Sequence, residues 1–147
     1  MEIRYAKESD LISIVELCKA HAHYEGSNFE EKNKRDLLYE FIFDSDLNLK
    51  CLVVEHHSEI VGYATFFKQF STWEADQYIY LDCLYLIEKI RGNGIGKQIM
   101  EIVKDYAQSN NCSIIQWQTP HFNKKAILFY DQLGAERKPK ERFTWKI

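Results

Sequence analysis

No apolar run in this 147-residue chain approaches the roughly 20 residues that a membrane-spanning helix needs, so no such anchor is expected. Two prolines and six glycines are too few and too scattered to build a Pro/Gly/Ser linker. Internal repeats and low-complexity tracts are also lacking, and one domain over residues 1–147 is the expectation. Met1-Glu2-Ile3-Arg4 leads straight into a strand-like segment with no secretory pattern before it. A strong charge of either sign is missing. The net value of −3 gives no reason to expect nucleic acid and mildly suits a cationic small molecule. Cys18, Cys51, Cys83 and Cys112 show no C-x-x-C spacing, and neither His21/His23 nor Glu55-His56-His57 fits a tetrahedral zinc pattern. The expectation is therefore no metal, and reduced core thiols in a cytoplasmic protein.

What is present is a regular succession of elements. Residues 2–6 read as a strand. Ser9-Asp10 offers a helix N-cap, followed by Leu11, Ile14, Val15 and Cys18 at helical spacing. A polar break at Gly26-Ser27-Asn28 precedes a second helical stretch with Leu37, Leu38, Phe41 and Ile42, and Asp44-Ser45-Asp46 turns the chain out of it. Leu52-Val53-Val54 and Ile60 to Phe67 read as a hairpin around His57-Ser58-Glu59. After a loop from Ser71 to Asp76, residues Tyr78 to Ile87 are apolar on both faces except at Asp82, which predicts a central strand. Ile95, Ile99, Ile102, Val103 and Tyr106 form one face of a helix. Ser113 to Trp117 is a strand, Asn123 to Leu133 a helix closed by Gly134, and Arg142 to Ile147 alternates like a last strand. The order β-α-α-β-β-β-α-β-α-β is an α/β mix around one sheet.

The segment richest in chemistry is Arg91-Gly92-Asn93-Gly94-Ile95-Gly96-Lys97, between the buried strand and an amphipathic helix. Glycines there let a backbone approach a ligand closely, and a helix start presents unpaired N–H groups to an anion. Arg91, Lys97 and Lys89 add positive charge. A Walker loop needs four residues between its glycines and Ser/Thr after the lysine; here three residues separate Gly92 from Gly96, and Gln98 follows Lys97. A dinucleotide fingerprint needs its third glycine one place later and an acid where Asn110-Asn111-Cys112 stand. Both readings fail on spacing, and with them an ATPase.

The segment matches R-x-x-G-x-G, the pyrophosphate-binding motif of the Gcn5-related N-acetyltransferases, and Phe129-Tyr130 with Gly134-Ala135 matches a second hallmark, F-Y-x-x-x-G-A. The chain thus resembles that family over nearly its whole length. Within it, His23-Tyr24-Glu25, Ser71-Thr72-Trp73, Tyr80-Leu81-Asp82 and Asn123 resemble the diamine (spermidine/spermine) acetyltransferases.

The resemblance implies an α/β fold with a mixed, mostly antiparallel sheet of six to seven strands, split at its central strand and flanked by four helices. It implies transfer of an acetyl group from acetyl-coenzyme A to a primary amine, by direct attack in a ternary complex, and a homodimer joined through C-terminal strands. The acceptor it implies is a diamine, polyamine or lysine-like molecule. A peptide N-terminus, an aminoglycoside-like amine, and a regulatory module that binds the coenzyme without catalysis stay open as alternatives.

Leu84, Tyr85 and Leu86 would pair with the pantetheine arm, and Arg91, Gly92, Asn93, Gly94, Ile95, Gly96 and Lys97 would hold the diphosphate. Asn123, Ala126 and Tyr130 would flank the coenzyme. Tyr130 would be the general acid, since a phenol of pKa near 10 is a credible donor to a thiolate. Asp82 stands where the look-alikes carry a glutamate that takes the amine proton, and Cys83 where they tend to have a second acid. Tyr24 and Glu25 would meet the acceptor's second charge, with Gln116, Trp117 and Gln118 reaching the substrate from the next strand. Trp73, Glu74 and Asp76 would line the same mouth, while Lys124 and Lys125 would face solvent.

Overall fold

In the computed structural model, which describes residues 1–44 and 49–147, apolar alternation and helical periodicity sort the chain into three layers. β1 (Glu2–Tyr5), β2 (Lys50–His56), β3 (Glu59–Ser71) and β4 (Asp76–Leu86) form an antiparallel meander, and β5 (Ile115–Gln116) adds to β4 in parallel. α1 (Leu11–Tyr24) and α2 (Lys34–Tyr39) cover one face, and α3 (Ile95–Ser109) and α4 (Lys124–Gln132) pack on the other. Alternation along β2 assigns the faces: Leu52 and Val54 join Ile95, Ile99 and Val103, whereas Cys51 and Val53 join Ile14. Each fully buried aliphatic side chain contributes about 1.5–3 kcal/mol from desolvation.

Local chemistry explains the connections. His57 and Ser58 both adopt positive φ, 51° and 65°, so the β2–β3 turn twists with its strands, and Glu59 already belongs to β3. Gly134, at φ 81°, follows the end of α4 and donates its N–H to the Asp131 carbonyl at 3.0 Å. Leu38 and Ile42 of the second helical stretch pack under Ile14, and the chain continues past α2 as a wide turn over Glu40–Asp44. Of the turn expected at Asp44-Ser45-Asp46, Ser45 and Asp46 lie outside the described residues.

Several expectations need correction. The described residues contain five strands rather than six to seven. Arg142 to Ile147 forms no strand: Phe143 and Trp145 are each 92% exposed and Ile147 117%. Their alternation suits a sheet edge, and this segment pairs with none among the described residues. The strand expected over Ser113 to Trp117 shortens to two residues. Asp10 does not cap α1 through its side chain. It sits in a short 3₁₀ turn and accepts the Lys7 N–H at 2.8 Å, held there by Arg4.

Gly62 on β3 lies opposite Leu86 of β4. A Cβ there would collide with Leu86 Cδ2 and come within 3.0 Å of the Tyr85 carbonyl oxygen. Gly62→Ala is therefore expected to cost about 1–3 kcal/mol, read as a lower urea midpoint. An unchanged midpoint would mean that the strands tolerate a wider separation.

Candidate active site

β4 and β5 pair where Ile79 and Tyr80 face Ile115 and Gln116, and β4 then runs on to Leu86 past the end of that ladder. A strand edge opens beside Leu84, Tyr85 and Leu86. Leu84 and Leu86 turn toward the α3–α4 core, and Tyr85 turns to the α1 face. The chain then enters the glycine turn, where Gly92 and Gly94 hold φ 80° and 78°. A Cβ at either position would meet nothing within 4 Å, so the space above both is open. Gly94 precedes α3, whose first turn carries exposed Lys97. Gly96 has a different duty: a Cβ there would come within 3.1 Å of the Phe129 ring, so its absence lets α4 close against α3. The glycine turn and the Phe129-Tyr130 pair are thereby physically linked.

Asn123 caps α4, its Oδ1 accepting the Ala126 N–H at 3.2 Å and the Tyr24 hydroxyl at 3.4 Å. That contact joins the end of α1 to the start of α4. The Arg91 guanidinium lies over the rings of Tyr24 and Tyr85, at 4.5 and 5.4 Å, while its Nε donates to the Leu86 carbonyl at 2.7 Å. Arg91 therefore fastens the end of β4. Tyr130 packs between Phe129 and Trp117, each ring 5.0 Å away. Burial, reinforced by the nearby Glu25 carboxylate, pushes its phenol up to about 12.

Asp82 departs from expectation. β3 and β4 shift register between Thr65 and Phe66, so that Thr65 faces Cys83, Phe66 faces Leu81, and Asp82 is the extra residue of a bulge. The bulge turns the carboxylate to solvent, which removes the burial cost that made it look anomalous in the sequence. Its Oδ2 accepts a weak contact from Cys83 Sγ at 3.6 Å. Gln116 and Gln118 are exposed, as are Lys124 and Lys125. Trp73, 93% exposed, stands at the tip of the β3–β4 hairpin, at the opposite end of β4 from the glycine turn. At the usual rise, Asp76 beside that tip is about 20 Å along the strand from Asp82.

Contact thus gathers Tyr24, Tyr85, Arg91 and Asn123 into one group, with Trp117 and Tyr130 as a second pair and the glycine turn beside them. His21 and Tyr63 were missed by motif reading. His21 was legible in principle, because it lies one helical turn before Glu25; Tyr63 carries no sequence signal beyond strand periodicity.

Comparison with known proteins bears on the family and the fold. A model of the acetyltransferase (GNAT) family matches residues 14–135. The thialysine N-epsilon-acetyltransferase of Sus scrofa is 33% identical over 141 residues, covering 90% of this chain and 82% of that protein. The protein of the same name from Mus musculus is 31% identical over 142 residues, covering 91% and 83%. A solved structure described as a transcriptional regulator from Bacillus halodurans C-125 superposes with a TM-score of 0.84 at 22% identity over 99% of each chain, a likeness of fold alone.

Proposed function

Because this chain belongs to the acetyltransferase (GNAT) family, we propose that it moves an acetyl group from acetyl-coenzyme A to a primary amine of a cationic small molecule, a diamine, polyamine or lysine-like amino acid. The observation that carries this reading is the open edge of β4 beside two positive-φ glycines, with the Tyr130 phenol held protonated close by.

The residues fit the coenzyme. Open space above Gly92 and Gly94 suits a diphosphate approached by backbone N–H groups, from Asn93 through Ile95 to Gly96, with Lys97 supplying charge. The edge at Leu84-Tyr85-Leu86 suits an extended arm paired like an added strand, flanked by Asn123 and Ala126. Acetyl-coenzyme A, when bound, supplies an acetyl thioester and a thiolate leaving group that needs a proton. Tyr130 holds a proton at Oη at neutral pH and is the general acid. Asp82, exposed at its bulge, takes the amine proton directly or through a water. Glu25 meets the acceptor's second charge, while Tyr24, its ring covered by the Arg91 guanidinium, flanks it at the end of α1. The two mammalian relatives are named for thialysine, a lysine analogue, which supports an acceptor carrying more than one amine.

Isothermal titration with acetyl-coenzyme A tests the cradle, and one site per chain is expected. A Cβ at Gly94 would project into the open space above the turn that the diphosphate is to fill, so Gly94→Ala should weaken binding about tenfold. Equal affinity in the variant would move the diphosphate away from this turn.

We further propose that two copies associate through the tail, since Phe143, Trp145 and Ile147 are an alternating apolar row that pairs with no strand among the described residues. Light scattering should give twice the 17.5 kDa chain mass, and a monomer at micromolar concentration would refute the association.

A further inference from the structure

His21 belongs to no recognised motif, yet it is the most constrained polar side chain at the end of α1. Its ring stacks on Tyr85, centroids 5.1 Å apart and planes at 24°, and meets Tyr63 edge-on at 6.1 Å. Both ring nitrogens are engaged: Nδ1 lies 3.1 Å from the Tyr63 hydroxyl and Nε2 lies 3.2 Å from Glu25 Oε1. The spacing of four residues puts His21 and Glu25 on one helix face, and Glu25 is the C-cap, where the helix no longer holds its side chain.

From this arrangement we propose that His21 is a positioning residue that aims the Glu25 carboxylate at the acceptor's second ammonium. The inference rests on the reading of Glu25 as an acceptor-binding acid.

The direction of the chain of hydrogen bonds follows from its two ends: a carboxylate can only accept, so Nε2 carries the proton that meets Glu25 Oε1. Tyr63 is 2% exposed, and burial holds its phenol far above the ordinary tyrosine range. The neighbouring thiols of Cys18 and Cys83 are raised by the same cause and stay protonated. With the imidazole proton on Nε2, Nδ1 is left to accept, and the protonated Tyr63 hydroxyl donates to it. A glutamate with a 31% exposed side chain would otherwise sample several rotamers. Anchoring Oε1 fixes the carboxylate plane and presents Oε2 to a cation. His21 touches neither the glycine turn nor Tyr130, and it meets the coenzyme-arm edge only at the Tyr85 ring, not at the backbone that would pair with the arm, so its effect should fall on acceptor binding.

Steady-state kinetics on the full chain with 1,4-diaminobutane and L-lysine would compare the wild type with His21→Leu, His21→Gln, Glu25→Gln and the double variant His21→Leu/Glu25→Gln. His21→Leu should raise the acceptor KM about tenfold while kcat and the coenzyme KM stay within about twofold. His21→Gln, whose amide can still donate to Glu25, should recover most of the loss and keeps the test open if the leucine variant unfolds. The double variant should match Glu25→Gln alone. An unchanged acceptor KM in His21→Leu, or an equal rise in the coenzyme KM, would overturn the positioning role. An unchanged acceptor KM in Glu25→Gln would instead overturn the acceptor reading beneath it. Independently of any acceptor, nitrogen-15 spectra of the imidazole should show the Nε2–H tautomer, and an Nδ1–H tautomer would contradict the proposal.

Discussion

Replacing Tyr130 with phenylalanine is expected to lower kcat about a hundredfold while leaving the dissociation constant for acetyl-coenzyme A within about twofold. General acid catalysis contributes about 10²–10⁴-fold, and the variant removes the proton donor without removing the ring. The ring contacts to Trp117 and Phe129 survive, so α4 keeps its seat and the Gly96 contact with Phe129 is untouched. Since burial pushes the phenol up to about 12, Tyr130 stays protonated through the whole assay range. Any alkaline loss of activity below pH 10 must then come from another group and should persist in the variant. The linkage to stability has a definite sign. Between pH 10 and 12 the folded chain holds a proton that the unfolded chain releases, so the stabilisation present below pH 10 declines as pH rises through that window, and Tyr130→Phe should flatten the decline. A variant with wild-type turnover would remove Tyr130 from the acid role.

The second large effect concerns the joint between β1, α1 and β2. Arg4 donates to Asp10 at 2.7 and 3.1 Å and to Glu55 at 2.7 and 2.9 Å. Asp10 is 6% exposed. Its hydrogen bonds to Arg4 hold the carboxyl below the usual range, against the opposing pull of burial, with help from the Lys7 N–H. Arg4→Met would leave that carboxylate buried without its cation. The expected loss is about 3 kcal/mol, a drop of about 10 °C in Tm. The depressed carboxyl also predicts the direction with pH. Its contribution is present above the unfolded carboxylate pKa of about 4 and is lost as pH falls through the lower folded value. Acid unfolding of the wild type should therefore begin below about pH 4, and the variant should lose this dependence. A Tm within about 2 °C of wild type would show that water replaces the guanidinium at little cost. Because Asp10 also accepts the Lys7 N–H, the same substitution should loosen the start of α1, the helix that ends in Tyr24 and Glu25.

What could be read before folding, and what could not, follows from where the determining contacts lie. Local periodicity set α3: Ile95, Ile99 and Val103 recur at helical spacing and are buried as that spacing requires. The glycine turn was legible because positive φ and close approach need glycine at fixed places. The bulge at Asp82 was hidden, since it depends on a register shift against Thr65 and Phe66 of another strand. A carboxylate that looked costly in an apolar run is exposed for that reason. The tail failed in the opposite way. Arg142 to Ile147 has a strand's pattern, but a strand needs an edge to pair with, and that edge is not supplied locally. The His21–Tyr63 contact joins residues 42 positions apart and was beyond any motif, although the spacing of His21 and Glu25 was in view.

The central claim is that the opened edge of β4, the glycine turn and Tyr130 together carry acetyl transfer to an amine. Its most direct test follows free-thiol release from acetyl-coenzyme A across diamines, polyamines, lysine, amino-terminal peptides and aminoglycosides, with mass spectrometry of the acceptor. Release should depend on added amine, with one acetyl group gained per thiol, and should be fastest with acceptors carrying two or more amines. A well-folded sample that binds the coenzyme but releases no thiol with any amine would contradict it.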